Sequence, residues 1–119
     1  MGDIIGTFYF KRTKTGNLIG EYSNCGMITV DAEVANVIKS ENVGFIGEYN
    51  CVFEEDDGCQ TVTLHIKLKY KDNNKIYSLK WSKNNKTIHW GEGILVDDML
   101  IGNYRSFESK TNGISIRKN

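Results

Sequence analysis

Glu92 stands between two glycines in the run Trp90-Gly91-Glu92-Gly93, with His89 just before it. Turned inward beside Trp81 or Trp90, such an acid could serve as a general acid or base, because burial raises a carboxyl pKa. Turned outward, it is an ordinary solvated side chain, and that is the preferred reading. The other reactive side chains point to less. His65 alternates with Thr63 and Lys67 on a polar face. His89 has no partner at metal-ligand spacing. Cys25, Cys51 and Cys59 show no CxxC spacing and read as reduced thiols. A Cys51–Cys59 bridge is the alternative, although simple hairpin pairing would not set the two opposite each other. Glu54 to Asp57 form an acidic hairpin tip. No Ser sits in a nucleophile motif, and there is neither a phosphate loop nor a dinucleotide fingerprint. These residues point away from an enzyme, and no cofactor or metal is expected.

Lysines and aromatic residues alternate over 67–90, which could make a stacking and phosphate-binding surface. In strands, however, the two types fall on opposite faces. Lys+Arg and Asp+Glu both number 15, so the formal net charge is zero. That balance argues against nonspecific binding to nucleic acid or to an anionic membrane. No apolar run approaches the roughly 18–20 residues needed to span a bilayer. The start "MGDIIGTFYFKRTKTG" has no basic leader and no signal-peptide core. The expectation is therefore a cytoplasmic protein with no nucleic-acid or membrane partner.

The 119 residues are expected to form one domain, with 113–119 as a short last strand or a tail. Turn signals recur at the short spacing of an all-β protein, and there is no Pro to interrupt a ladder. Strands are expected near 4–12, 17–23, 26–30, 43–54, 60–71, 75–82, 87–96 and 99–108. The clearest is "TVTLHIKLKY", residues 61–70, with Val62, Leu64, Ile66, Leu68 and Tyr70 on one face. A two-residue turn at Asn73-Asn74 would set Tyr70 against Tyr77, Leu68 against Leu79 and Ile66 against Trp81. Residues 31–40, "DAEVANVIKS", break the rhythm. Asp31 as N-cap and Val34, Val37 and Ile38 at helical spacing read as a short helix or helical turn.

A large apolar residue, a Gly two places on and an aromatic two further recur four times. The copies are Ile4-Gly6-Phe8, Leu18-Gly20-Tyr22, Phe45-Gly47-Tyr49 and Leu100-Gly102-Tyr104. Period two puts each set on one face. Gly weakens a strand unless the space is needed, and a small barrel needs it, because inward side chains must alternate large and small. The expected architecture is all-β, an eight-stranded up-and-down antiparallel barrel with one short helix or helical turn.

"DIIGTFYFKRTKTGNLIGEYSN", "GFIGEYNCVF" and "YSLKWSKNN" together resemble the strand pattern of avidin and streptavidin, and more broadly of lipocalin-like small barrels. The resemblance implies an eight-stranded barrel with a ligand pocket at one open end. It does not imply biotin. Phe10 stands where the family has a polar Asn, and "KRTKTG" replaces its Gly-Ser. Tyr22 matches the family's pocket tyrosine, and Asn24 stands at the place of a pocket serine.

One strand has conflicting facing. A two-residue turn at Asp97-Asp98 sets Leu95 against Leu100, Gly93 against Gly102 and Gly91 against Tyr104, which sends Trp90 and Glu92 outward. A two-residue turn at Asn84-Asn85 instead sets Trp90 against Leu79, facing inward. A β-bulge within 90–93 would reconcile the two, as would a three-residue loop at 84–86; the bulge is preferred. Either way, Ile94, Val96, Met99 and Ile101 lie outside and need a cover, from a second subunit or from the 31–40 segment.

The leading expectation is a non-enzymatic barrel binding a small apolar or aromatic ligand. Phe10, Tyr22, Tyr49, Trp81, Trp90 and Tyr104 would line the pocket, with Asn24 or Ser106 giving orientation. The alternative is a protein–protein interaction module or homo-oligomer with a side-chain-filled interior, associating through the 94–101 hairpin surface.

Overall fold

In a computed structural model, residues 4–25, 29–40, 44–55 and 58–106 are described. They form eight antiparallel strands: β1 (Ile4–Arg12), β2 (Leu18–Asn24), β3 (Asp31–Ser40), β4 (Gly47–Glu55), β5 (Gly58–Tyr70), β6 (Asn73–Lys83), β7 (Lys86–Val96) and β8 (Met99–Ser106). Each pairs with the next in sequence, and β8 pairs with β1, so the sheet is a closed barrel. Closure leaves no strand edge open to a foreign strand. Residues 113–119, read as a last strand or tail, lie outside the described residues, as do 26–28 of the strand expected at 26–30.

No helix occurs among the described residues, and the segment read as one, Asp31–Ser40, is the third strand. It pairs with β2 through Ile19–Val34 and with β4 through Val34–Val52. Its alternation runs against the usual hydrophobic pattern: Glu33 and Ala35 are buried, while Val34 and Ile38 are exposed. A register shift between Val37 and Lys39 breaks the period further. Ladder pairing on both sides outweighs the weak helical spacing, and the β-branched valines suit the strand.

The inward faces of the strands build the core. Phe8 and Phe10 from β1, Leu18 from β2, Tyr49 from β4, Leu64 and Ile66 from β5, Leu79 from β6 and Leu100 from β8 are all buried. The inward glycines make room for rings. A Cβ on Gly6 would sit 2.6 Å from the Tyr104 ring, and one on Gly91 would sit 3.0 Å from the Trp81 ring. Those two rings therefore lean into the barrel over strands that carry no side chain at the contact. Phe45, in the β3–β4 connection, packs on Tyr77 at 6.3 Å between ring centroids. Its carbonyl accepts a hydrogen bond from the buried Tyr49 hydroxyl at 2.8 Å, which fixes this closed end of the barrel.

Two registers differ from expectation. The β5–β6 link turns at Lys71-Asp72, because Tyr70 pairs with Asn73. Leu68 then faces Tyr77, Ile66 faces Leu79 and Leu64 faces Trp81. The offset is even, so each side chain keeps its face, except that the ladder shifts after Leu68 and leaves Tyr70 exposed. In β7 both expected two-residue turns are present. Asn84 and Asn85 have φ of 54° and 66°, the left-handed pair that a tight hairpin turn needs. Val96 pairs with Met99 across Asp97-Asp98. A bulge reconciles them, but earlier than residues 90–93. Ser82 pairs with Thr87 and Trp81 with His89, which leaves Ile88 as the extra residue.

Candidate functional site

The end of the barrel opposite Phe45 is not filled. A cavity of about 70 Å³ lies there, lined by Tyr22, Asn24, Glu33, Phe53, Trp81, His89 and Tyr104. The residues come from β2, β3, β4, β6, β7 and β8. Each lies toward the end of its strand that carries the β2–β3, β4–β5 and β6–β7 connections.

The walls are aromatic, and their rings meet edge to face or tilted. Tyr22 contacts Phe53 at 5.9 Å and Tyr104 at 6.4 Å between centroids. Trp81 contacts Tyr104 at 5.8 Å, and His89 contacts Tyr104 at 5.5 Å. Asn24 Nδ2 donates to the Tyr104 hydroxyl at 2.9 Å, which ties β2 to β8 across β1. Such rings are stiff, with two torsions each, so the walls are largely preformed.

Glu33 is the polar centre. It is 5% exposed, and its Oε2 accepts from the Trp81 indole Nε1–H at 2.9 Å and from the Cys51 thiol. Burial pushes its carboxyl above the ordinary carboxylate range; the hydrogen bonds from Cys51 and Trp81 pull the other way and lose. The Cys51 thiol is itself pushed up, first by burial and then by Glu33. His89 is neutral, because burial lowers its pKa to about 4. Its Nδ1 is shut off from solvent without a hydrogen-bond partner among the described residues. A buried polar atom left unpaired is uncommon in native folds.

The sequence-derived site residues divide. Tyr22, Asn24, Trp81 and Tyr104 come together around the cavity. Phe10 and Tyr49 are buried in the packed core away from it. Trp90 is on the outer surface, 37% exposed, because the Ile88 bulge turns His89 inward in its place. Ser106 is buried beside Ile4 and His89 in the ladder but does not line the cavity. Glu92 points outward and pairs with Lys69 on the surface. Cys25, Cys51 and Cys59 are free thiols. Among the described residues, no group of three or more His, Cys, Asp or Glu side chains could hold a metal ion.

Glu33, Phe53 and His89 are the lining residues that sequence reasoning did not place there. The helical reading of 31–40 hid Glu33. A strict count to eight strands, with 31–40 as the third, would have put Glu33, Ala35 and Val37 on one face. No signal of comparable strength marks Phe53. No protein-family model, curated protein or solved structure matches this chain.

Proposed function

We propose that this protein is a non-enzymatic binding barrel, laid out like an avidin-like or broader lipocalin-like barrel, that holds a small ligand at its open end. One observation carries the reading. The barrel is packed from Phe45 to Trp81, yet stops short of filling itself at a ring of stiff aromatic side chains around one buried carboxyl. The occupant is a compact, largely apolar or aromatic group, gripped by Tyr22, Phe53, Trp81 and Tyr104 and oriented by Asn24, Glu33 and His89.

The non-enzymatic reading rests on the nucleophile. Cys51, the described thiol beside the cavity carboxyl, donates a hydrogen bond to Glu33 and is held in the thiol form. An activated cysteine needs the opposite environment. We propose a cytoplasmic setting, which the free Cys25, Cys51 and Cys59 suit, because thiols stay reduced in a reducing compartment.

Native mass spectrometry of freshly purified, never-refolded protein tests the reading. The expected result is a small adduct mass that disappears on denaturation and is lost in a Tyr104→Leu variant. A chain that never carries an adduct, and whose Trp81 emission no small molecule perturbs, would sink it.

A second reading concerns assembly. Ile94, Val96 and Ile101 are 50%, 45% and 38% exposed. Ile94 sits beside Ile101, and Ile101 beside Tyr9, in the outer ladder. The alternative cover for this surface, a helix at 31–40, is replaced by β3. We propose that a second copy of the chain covers the 94–101 hairpin surface in a homo-oligomer.

A further inference from the structure

Glu33 faces the cavity with an unmet electrostatic requirement. Both of its hydrogen bonds fall on Oε2, and Oε1 has no protein partner among the described residues. Among the described residues, the titratable groups around it are the Cys51 thiol on β4, the His89 imidazole on β7 and the phenols of Tyr22 on β2 and Tyr104 on β8. Among the described residues, neither Lys nor Arg lines the cavity. Buried carboxylates are tolerated when paired with a cation. Here the described residues supply the carboxyl and no cation to pair with it.

The remaining walls match that omission. Four rings, Tyr22, Phe53, Trp81 and Tyr104, line the cavity with the acid. Aromatic faces carry negative potential and attract organic cations, most strongly once water is excluded. His89, a neutral imidazole in the cavity wall, adds no positive charge that would repel a cation. We infer that the cavity takes the head of an organic cation bearing N–H groups, a primary ammonium being the simplest, with Glu33 as its counter-ion. The inference rests on the binding-barrel reading and specifies its ligand class. The volume of about 70 Å³ admits the ammonium together with the first carbons of its apolar chain, which the four rings grip.

Binding carries a proton balance. Burial favours the neutral acid of Glu33 in the empty site, and a bound cation favours its carboxylate. An incoming alkylammonium keeps its own proton, Glu33 loses one to solvent, and a carboxylate–ammonium pair remains. Affinity for the cation therefore rises with pH until Glu33 ionises in the empty site. A protonated Glu33 donating to a neutral carbonyl or hydroxyl would show no such rise.

Three probes of equal chain length separate these cases: n-butylammonium chloride, 1-butanol and sodium butyrate. Each is titrated into 15N-labelled protein while the Trp81 indole N–H resonance is followed, assigned with a Trp90→Phe variant. At pH 8, n-butylammonium is expected to bind at least about tenfold more tightly than 1-butanol, with butyrate weakest, as suits a hydrogen bond to a charged group. Glu33→Gln should remove that advantage and its pH dependence, while an unchanged circular dichroism spectrum and a cooperative urea transition report an intact barrel. Binding of 1-butanol as tight as that of the ammonium, or an ammonium preference that survives Glu33→Gln, would overturn the cation assignment and leave the binding barrel standing. Silence of the indole resonance toward all three probes overturns the cation assignment too, and the adduct measurement then judges the barrel separately.

Discussion

Glu33 and Trp81, 48 residues apart, meet inside the barrel, where the indole of β6 donates to the carboxyl of β3 at 2.9 Å. The contact joins two strands that share no ladder, so it senses both the closure of the barrel and the charge state of the acid.

The first prediction concerns that charge. Because the folded pKa of Glu33 is raised, the folded chain binds more protons than the unfolded one above the ordinary carboxylate range. Stability from this group is present at low pH and is lost as pH rises through the folded value. Glu33→Gln keeps an acceptor for Trp81 and carries no charge. It should be more stable than the natural chain at pH 8–9, by on the order of 1–3 kcal/mol. Urea denaturation across pH 5–9 checks this; a variant less stable at every pH would contradict it.

His89 works in the opposite sense. Its pKa falls from 6.5 to about 4 on folding, so its contribution is complete above pH 6.5 and is lost as pH drops toward 4. The shift corresponds to roughly 3 kcal/mol. Above the ordinary carboxylate range it opposes the slope from Glu33, so the natural chain should show a flatter pH profile than Glu33→Gln. His89→Phe should remove the acid-side loss. An imidazole NMR titration should show His89 neutral down to near pH 4.

The two tryptophans can be told apart by light. Trp81 is 3% exposed and Trp90 37% exposed. Trp90→Phe should leave blue-shifted emission resistant to iodide, and Trp81→Phe should leave red-shifted, quenchable emission. The reverse pattern would place the β7 bulge wrongly.

Gly6 is held to its identity by contact. A Cβ there would lie 2.4 Å from the Ser23 carbonyl oxygen and 2.6 Å from the Tyr104 ring. Gly6→Ala should cost about 1–3 kcal/mol, the usual penalty of overpacking, read as a shift in the denaturation midpoint at unchanged slope. It should also weaken ligand binding, because the displaced ring is a cavity wall.

Ile101→Asp tests the proposed assembly. Its side chain is outside the barrel, so the fold should persist while the oligomer falls to a single chain of 13.5 kDa in light scattering. An unchanged mass would remove the 94–101 surface as the interface.

Much of the barrel was legible because its signals are local. Val62 to Tyr70 alternate cleanly, Asn84-Asn85 and Asp97-Asp98 are turn pairs, and the Gly-x-aromatic repeats need a curved, closed sheet. The β8 register followed from a single turn, and Gly91–Tyr104 pairs as that turn requires. The site was only half legible, because its polar members break local rules. Glu33 occupies an inward position that alternation would give to Val34, and His89 faces inward only through a bulge. Neither follows from the residue's own neighbourhood. Trp90, chosen as a large aromatic beside glycines, was displaced outward by that same bulge.

The unpaired Ile88 lets the Asn84-Asn85 tip and the pocket wall of β7 obey separate reading frames. The tip answers to its turn, and the wall answers to β8. Loss of one residue at Ile88 would straighten the ladder and leave His89 inward. Rim length in this hairpin is thus decoupled from pocket chemistry, and the rim can vary in length without rewriting what the barrel presents to its ligand.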